Sequence, residues 1–158
     1  MPTFVLWARA EIEGLAEFWA PADHCWLLDV KQSAGSEERK GVVINPEEWV
    51  ELANTKDAKA NFAMKFDRSE RQQSYCTVVQ IKGLTRSQTS DDMGMVPIIA
   101  FECRGLEPVR WTPTGPYGAR AASGTTWEDI DLETDDWCDY DEKSEEPVAV
   151  SKSIQYEF

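Results

Sequence analysis

Phe4, Leu6, Ala8, Ala10 and Ile12 occupy alternate positions near the start of the chain, with Arg9 and Glu11 between them. A period of two places those apolar side chains on one face of an extended backbone, so Phe4 to Ile12 is predicted to be a half-buried strand. Shorter apolar runs predict further strands at Cys25 to Val30 and Gly41 to Ile44. Asn61 to Phe66 and Tyr75 to Lys82 flank the polar stretch KFDRSER and predict a β-hairpin with that stretch at its turn. Val96 to Cys103 is the most apolar of the strand-like runs, and its Pro97, having no N–H, calls for a first or edge position. Val148, Val150, Ile154, Tyr156 and Phe158 are in phase and predict that the chain ends in a strand.

One helix start is visible. Asn45, Pro46 and Glu47 supply an N-cap, a first-position proline and an acid against the dipole, predicting a short helix from Pro46 to about Asn54. Gly83 to Gly94 reads as a flexible polar loop, and Gly105 to Thr125 holds too much Gly and Pro to be a single element. The fold class is therefore all-β and mainly antiparallel. EIEGL at Glu11 to Leu15 returns as ECRGL at Glu102 to Leu106, each time closing an apolar strand. Such an echo suggests a duplicated β unit: two similar lobes with a pseudo-two-fold relation, an N-terminal one over 1–90 and a C-terminal one over 91–158, forming one compact unit.

Charge narrows the partners. A net charge of −13 opposes a general binder of nucleic acid or anionic membrane. Thr126 to Pro147 carries eleven Asp or Glu against the single Lys143, which is either a solvated loop or a docking strip for a basic protein surface. The seven tryptophans are read chiefly as core anchors. No apolar run is long enough to span a membrane and the first residues lack a secretory pattern, so an intracellular, cytoplasmic protein without membrane insertion is expected.

Recognisable chemistry is sparse. Cys25, Cys76, Cys103 and Cys138 form no CxxC pair and are read as separate, buried thiols. His24 is the sole histidine, and adjacent Cys25 would face away from it on a strand. Ser123 has no nucleophile-elbow context, and Gly115, Gly118 and Gly124 match no phosphate-binding spacing. The carboxylates Asp135, Asp136, Asp139, Asp141 and Glu142 lack a calcium-loop arrangement. Thr125 with Glu128 is a candidate capping box, flanked by Trp127 and Trp137 as buried anchors. Lys56, Lys59, Lys65, Arg68 and Arg71 form a modest basic cluster, either a solvated hairpin end or a contact for an acidic segment.

FECRGLEPVRW, SGTTWEDIDL and DDWCDYDEK, occurring in that order, together with the closing strand, resemble the eukaryotic family of CXXC-motif-containing zinc-binding proteins. The EGL turn, the strand ending in Val30 and Lys31, and ANFAMK extend the resemblance over almost the whole chain. It implies two similar antiparallel β lobes, no assigned catalytic residue, and one zinc held by two CxxC pairs on two turns of the N-terminal lobe. The matching positions here are Gln32 and Gly35 in KQSAGSEE, and Phe66 and Ser69 in KFDRSER, none of them a competent zinc ligand. This is therefore expected to be a divergent member without that metal or any cofactor, with Phe66 filling volume and Lys65, Arg68 and Arg71 paired to Glu37, Glu38 or Glu70 across the turns.

The resulting expectation is a non-enzymatic protein-binding or scaffold protein, a subunit of a larger assembly. Its partner-binding residues are Glu102, Arg104, Glu107, Ser123, Thr125, Trp137, Asp139, Tyr140 and Asp141, with Arg104 as an alternative internal ion pair. One alternative is a metal-handling protein binding a transition metal through thiols such as Cys103 or Cys138 and nearby acids. Another is an enzyme, which would need Ser123, Arg104 and Asp139 gathered in one cleft.

Overall fold

The computed structural model describes residues 2–53 and 56–158. The first half contributes β1 (Thr3–Arg9), β2 (Ile12–Glu13), β3 (Glu17–Trp19), β4 (Trp26–Gln32), β5 (Glu38–Ile44), β6 (Val50–Glu51), β7 (Lys59–Ala60), β8 (Phe62–Met64), β9 (Ser74–Val79) and β10 (Gln88–Thr89). The second contributes β11 (Val96–Arg104), β12 (Leu106–Trp111), β13 (Tyr117–Arg120), β14 (Thr126–Ile130), β15 (Trp137–Asp141), β16 (Glu146–Val150) and β17 (Gln155–Glu157). Every assigned strand pairing is antiparallel. The all-β expectation holds.

One order of elements occurs twice. β1 and β2 lead through Gly14 into β3, and the hairpins β4–β5 and β8–β9 follow; β11 leads through Gly105 into β12, and the hairpins β13–β14 and β15–β16 follow. The opening strands pair outside their own half. β11 lies against β9 and β12 against β4, while β2 lies against β16 and β3 against β13. β1 and β11 meet at the centre of a five-stranded sheet ordered β17-β1-β11-β9-β8.

The two glycines of the sequence echo mark the crossings. Gly14 and Gly105 have φ of 71° and 78°, which an L side chain adopts only with strain. Each also packs too closely for a Cβ, which would stand 2.6 Å from Pro147 O at Gly14 and 2.5 Å from Ser74 Oγ at Gly105. The duplicated Gly-Leu turn is thus the point where each opening strand enters the opposite pair of hairpins.

The alternating residues of β1 fill the interior with those of the hairpins. Leu6, Val30, Ile44, Phe101, Ile130 and Val150 have no exposed surface. Burying a large aliphatic or aromatic side chain stabilises the fold by about 1.5–3 kcal/mol. His24 is buried with them, its ring edge-on to Trp26 at 4.6 Å and tilted against Tyr117 at 5.0 Å.

Several local expectations are corrected. Asn45 does cap, its Oδ1 accepting from Glu47 N at 2.9 Å, but only a turn follows at Pro46 and Glu47, and no helix occurs among the described residues. The chain needs its next apolar residues for β6, where Val50 pairs with Ala60, and tertiary pairing outweighs the local start signal. Asn54, at the end of that predicted helix, lies outside the described residues. Thr126 to Ile130 is a strand, so Thr125 and Glu128 form no capping box. Within Gly83 to Gly94, β10 pairs with β3, and buried Gln88 clasps the backbone N–H and C=O of Ala10 at 2.8 and 2.7 Å. Pro97 lies in the central strand rather than at an edge, opposite Trp7 next to a register shift, where β11 has not yet begun to pair with β9. Its missing N–H costs no ladder bond there.

Candidate functional site: two pairs of turns

Each lobe brings together the turns of its two hairpins. In the first lobe these are the β4–β5 turn, over 32–38, and the β8–β9 turn, over 64–74. Gln32 Nε2 reaches across to Glu70 Oε1 over a long 3.4 Å, and the same oxygen accepts from Asp67 N at 3.0 Å. Asp67 Oδ1 in turn accepts from Ser69 N at 3.0 Å, and this backbone hydrogen bond lowers the Asp67 pKa. Gly35 leaves room for the Gln32 side chain, whose Oε1 would lie only 2.4 Å from a Cβ at that position. Half-buried Phe66 packs against the core.

The four positions at the turns thus have occupations of their own. Gln32 bridges, Gly35 clears space, Phe66 fills volume, and Ser69 is held through its backbone. Lys65, Arg68 and Arg71 do not pair with Glu37, Glu38 or Glu70 among the described residues. Glu38 instead pairs with Arg110 Nη2 at 2.8 Å, while Arg110 Nε holds Asp29 at 3.0 Å. The basic residues of the β8–β9 turn are exposed, and fixing such side chains in exposed ion pairs returns little free energy.

Glu102, Arg104 and Glu107 belong to this end of the molecule. Arg104 lines a depression of about 260 Å3 with Gln32, Glu70, Gln73 and Gly105, and Glu107 pairs with Lys31 Nζ at 3.4 Å. Half-buried Glu102 lies opposite Thr3 and Thr77 in the ladder, and no ion pair links Arg104 to it or to Glu107 among the described residues.

The corresponding turns of the second lobe, 120–126 and 141–146, are locked differently. Asp141 is wholly buried and accepts from Ser123 Oγ at 2.6 Å, Thr125 Oγ1 at 2.7 Å, Ser144 Oγ at 2.7 Å and Lys143 N at 3.1 Å. The hydrogen bond from Ser123, then those from Ser144, Thr125 and Lys143, holds this carboxyl well below the usual carboxylate range despite opposing desolvation. The structure thus gathers Ser123, Thr125 and Asp141, three of the nine expected partner-binding residues, into one hydrogen-bonded lock. Ser144 and Lys143 complete it, and only their place in a tight turn one hairpin away hinted at that role.

Beside the lock is an exposed face. Trp127 and Trp137 meet edge to face at 5.5 Å, both half-buried rather than fully buried anchors, and Trp127 Nε1 donates to Asp139 Oδ2 at 3.0 Å. Asp139 Oδ1 also accepts from Tyr140 N at 2.6 Å. Tyr140 is 52% exposed, and every acid of 126–147 other than Asp141 is exposed with it.

The thiols differ from the expectation of four separate buried groups. Cys25 and Cys138 are exposed, whereas Cys76 and Cys103 are buried and directly opposite each other in the β9–β11 ladder. Cys138 pairs with Ala149 in another sheet. Among the described residues, no three His, Cys, Asp or Glu side chains gather in a geometry that could hold a metal ion. Zinc needs thiolate, imidazole or carboxylate donors in a tetrahedral set, and Gln32, Gly35, Phe66 and Ser69 do not fit it. Among the described residues, no helix is long and apolar enough to cross a membrane.

Comparison with known proteins gives this geometry its context. Residues 5–158 match the family described as CXXC motif containing zinc binding protein, eukaryotic. The UPF0587 protein CG4646 of Drosophila melanogaster is 34% identical over 139 residues, 86% of this chain and 80% of its own length. The human CXXC motif containing zinc binding protein is 46% identical over 61 residues, 38% of either chain. Among solved structures, a hypothetical protein from Plasmodium falciparum superposes with a TM-score of 0.88 at 24% identity over 99% of both chains, which establishes the shared fold. The crystal structure of C1orf123 superposes with a TM-score of 0.84 at 26% identity, over 98% of this chain and 97% of the other. The chain belongs to the eukaryotic CXXC motif containing zinc binding protein family.

Proposed function

We propose that this family member is a non-catalytic protein-binding subunit that has dispensed with the structural zinc and docks a basic partner surface on the acidic, aromatic face of its second lobe. The carrying observation is the arrangement at β14 and β15. Asp139 fixes the Trp127 indole, the Trp127–Trp137 pair is half-buried, and Tyr140 stands exposed among acids. A rigid amphipathic aromatic set inside a field of one sign suits recognition, with the aromatics supplying contact area and the charge steering the encounter.

A catalytic reading has less support. Ser123 and Asp141 are occupied with each other, Asp139 with Trp127, and Arg104 lines a depression beside the first lobe's turns. The metal-handling reading is weakened by the separation of Cys103 and Cys138 into different sheets.

The test is native purification from the source cell at increasing ionic strength, comparing the parental chain with a Tyr140→Ala/Glu142→Lys variant. A stoichiometric protein partner should co-elute at low salt, dissociate as salt screens the acidic face, and be absent with the variant. A monomer at every salt concentration, or a partner indifferent to both changes, contradicts the proposal.

A further inference from the structure

Cys76 and Cys103 lie directly opposite each other in the ladder between β9 and β11, and each is 1% exposed. Their backbone hydrogen bonds reveal the type of pair. Cys103 N donates to Pro2 O at 3.0 Å, on the β1 side, while Cys76 O accepts from Asn61 N at 3.1 Å, on the β8 side. In an antiparallel strand the N–H and C=O of one residue point the same way, so both cysteines turn their backbone groups away from each other. They form a non-hydrogen-bonded pair, the kind with Cα atoms about 4.5 Å apart and side chains in closest approach. A disulfide spans that separation without backbone movement.

We propose that Cys76 and Cys103 are a latent cross-strand disulfide, closed by a low-molecular-weight disulfide such as oxidised glutathione, tying β9 to β11 beside the turns of the first lobe. The place is specific. Two residues beyond the thiols on their respective strands lie Ser74 and Gly105, which touch each other, and Gly105 O accepts from Ser33 N of the β4–β5 turn at 3.1 Å. The bond would thus tie β9, which carries the β8–β9 turn, to β11, which runs into the Gly105 that holds the β4–β5 turn, independently of whether the acidic face binds a partner.

The chemistry balances as two exchanges. The Cys76 thiolate attacks one sulfur of the oxidant and expels the other as a thiolate, leaving a mixed disulfide. The Cys103 thiolate then attacks the Cys76 sulfur and expels the second small thiolate. The protein loses two protons and two electrons, and the oxidant is reduced to two thiols. The hydrogen bond with Cys103, followed by burial, raises the Cys76 thiol pKa, so exchange in the closed fold is slow. Reaction proceeds through opening at the sheet's end, where β8 is an edge strand of three residues.

The test uses a full-length Cys25→Ser/Cys138→Ser variant, which retains only the two buried thiols. It is exposed to oxidised glutathione both as the folded protein and during refolding from denaturant, then alkylated and mapped without reduction. Peptides joined through Cys76 and Cys103 in either sample, a mass decrease of about 2 Da for the two hydrogens lost, and a higher Tm than the reduced protein support the proposal. Dithiothreitol should reverse all three. Two alkylated cysteines in both samples, while Cys25 and Cys138 of the parental chain take up glutathione, overturn it. So does a joined product that melts below the reduced protein. Cys103→Ala should convert the product to a mixed adduct at Cys76; should that variant not fold, the peptide map decides alone.

Discussion

Asp141 shows how much can depend on one side chain. Its carboxylate, itself closed to solvent, takes three hydroxyl donors and one backbone N–H from two turns. Asp141→Ala strands those donors, whereas Ser123→Ala removes one donor and leaves the carboxylate three others. Thermal unfolding should therefore show a Tm drop of several degrees for Asp141→Ala and a distinctly smaller one for Ser123→Ala; equal drops would show that the lock does not act as a unit. His24 gives a prediction in pH. Burial lowers its pKa from 6.5 to about 4, with Asp23 partly offsetting this. The unfolded chain then binds the proton first, so this contribution is complete above about pH 6.5 and is lost as pH falls toward about 4. The expected loss is roughly 3 kcal/mol, and chemical denaturation of a His24→Phe variant should be flatter than the parental chain across that window. Parallel stability curves would contradict it.

Among the elements, the strands were legible wherever one face is buried. Phe4 to Ile12 and the hairpin around KFDRSER carry their pattern in the sequence because period two must match the core, and the Val96 strand, buried on both faces, shows as a continuous apolar run. Asn45–Pro46 misled because a start signal worth about 1 kcal/mol competes with strand pairing that only distant residues supply. The crossing of each half's opening strands into the opposite hairpins is a non-local fact, yet EIEGL and ECRGL marked its two hinges. The candidate site was half legible. Ser123, Thr125 and Asp141 stood out as residue types, but the lock needed the register between two hairpins; Gln32 and Glu70 meet across 38 positions with no local signal. The hinge account makes its own prediction. Gly14→Ala should cost about 2 kcal/mol or more, because strain at positive φ adds to a clash with rigid backbone. Gly41→Ala, at φ 67° with no atom within 4 Å of a Cβ, should cost only about 1 kcal/mol. Urea unfolding of the two variants compares them, and equal losses would remove the close crossing as the reason for Gly14.

For the whole molecule, the two lobes solve one problem with different means. Both must hold a pair of hairpin turns together, and the second does so with a buried carboxylate among hydroxyls. The first has Gln32 over Gly35 reaching Glu70 of the other turn, half-buried Phe66 packed against the core, and Arg110 bracing Asp29 and Glu38 within the β4–β5 hairpin. A structural zinc contributes its binding free energy directly to folding, so a chain that retained one at these turns would betray it in composition and stability together. The most direct measurement is the metal content of the protein purified after expression in zinc-supplemented medium, with its Tm recorded before and after chelation. The account predicts far less than one equivalent of zinc and an unchanged Tm; about one equivalent, removed by chelator with a fall in Tm, would contradict it.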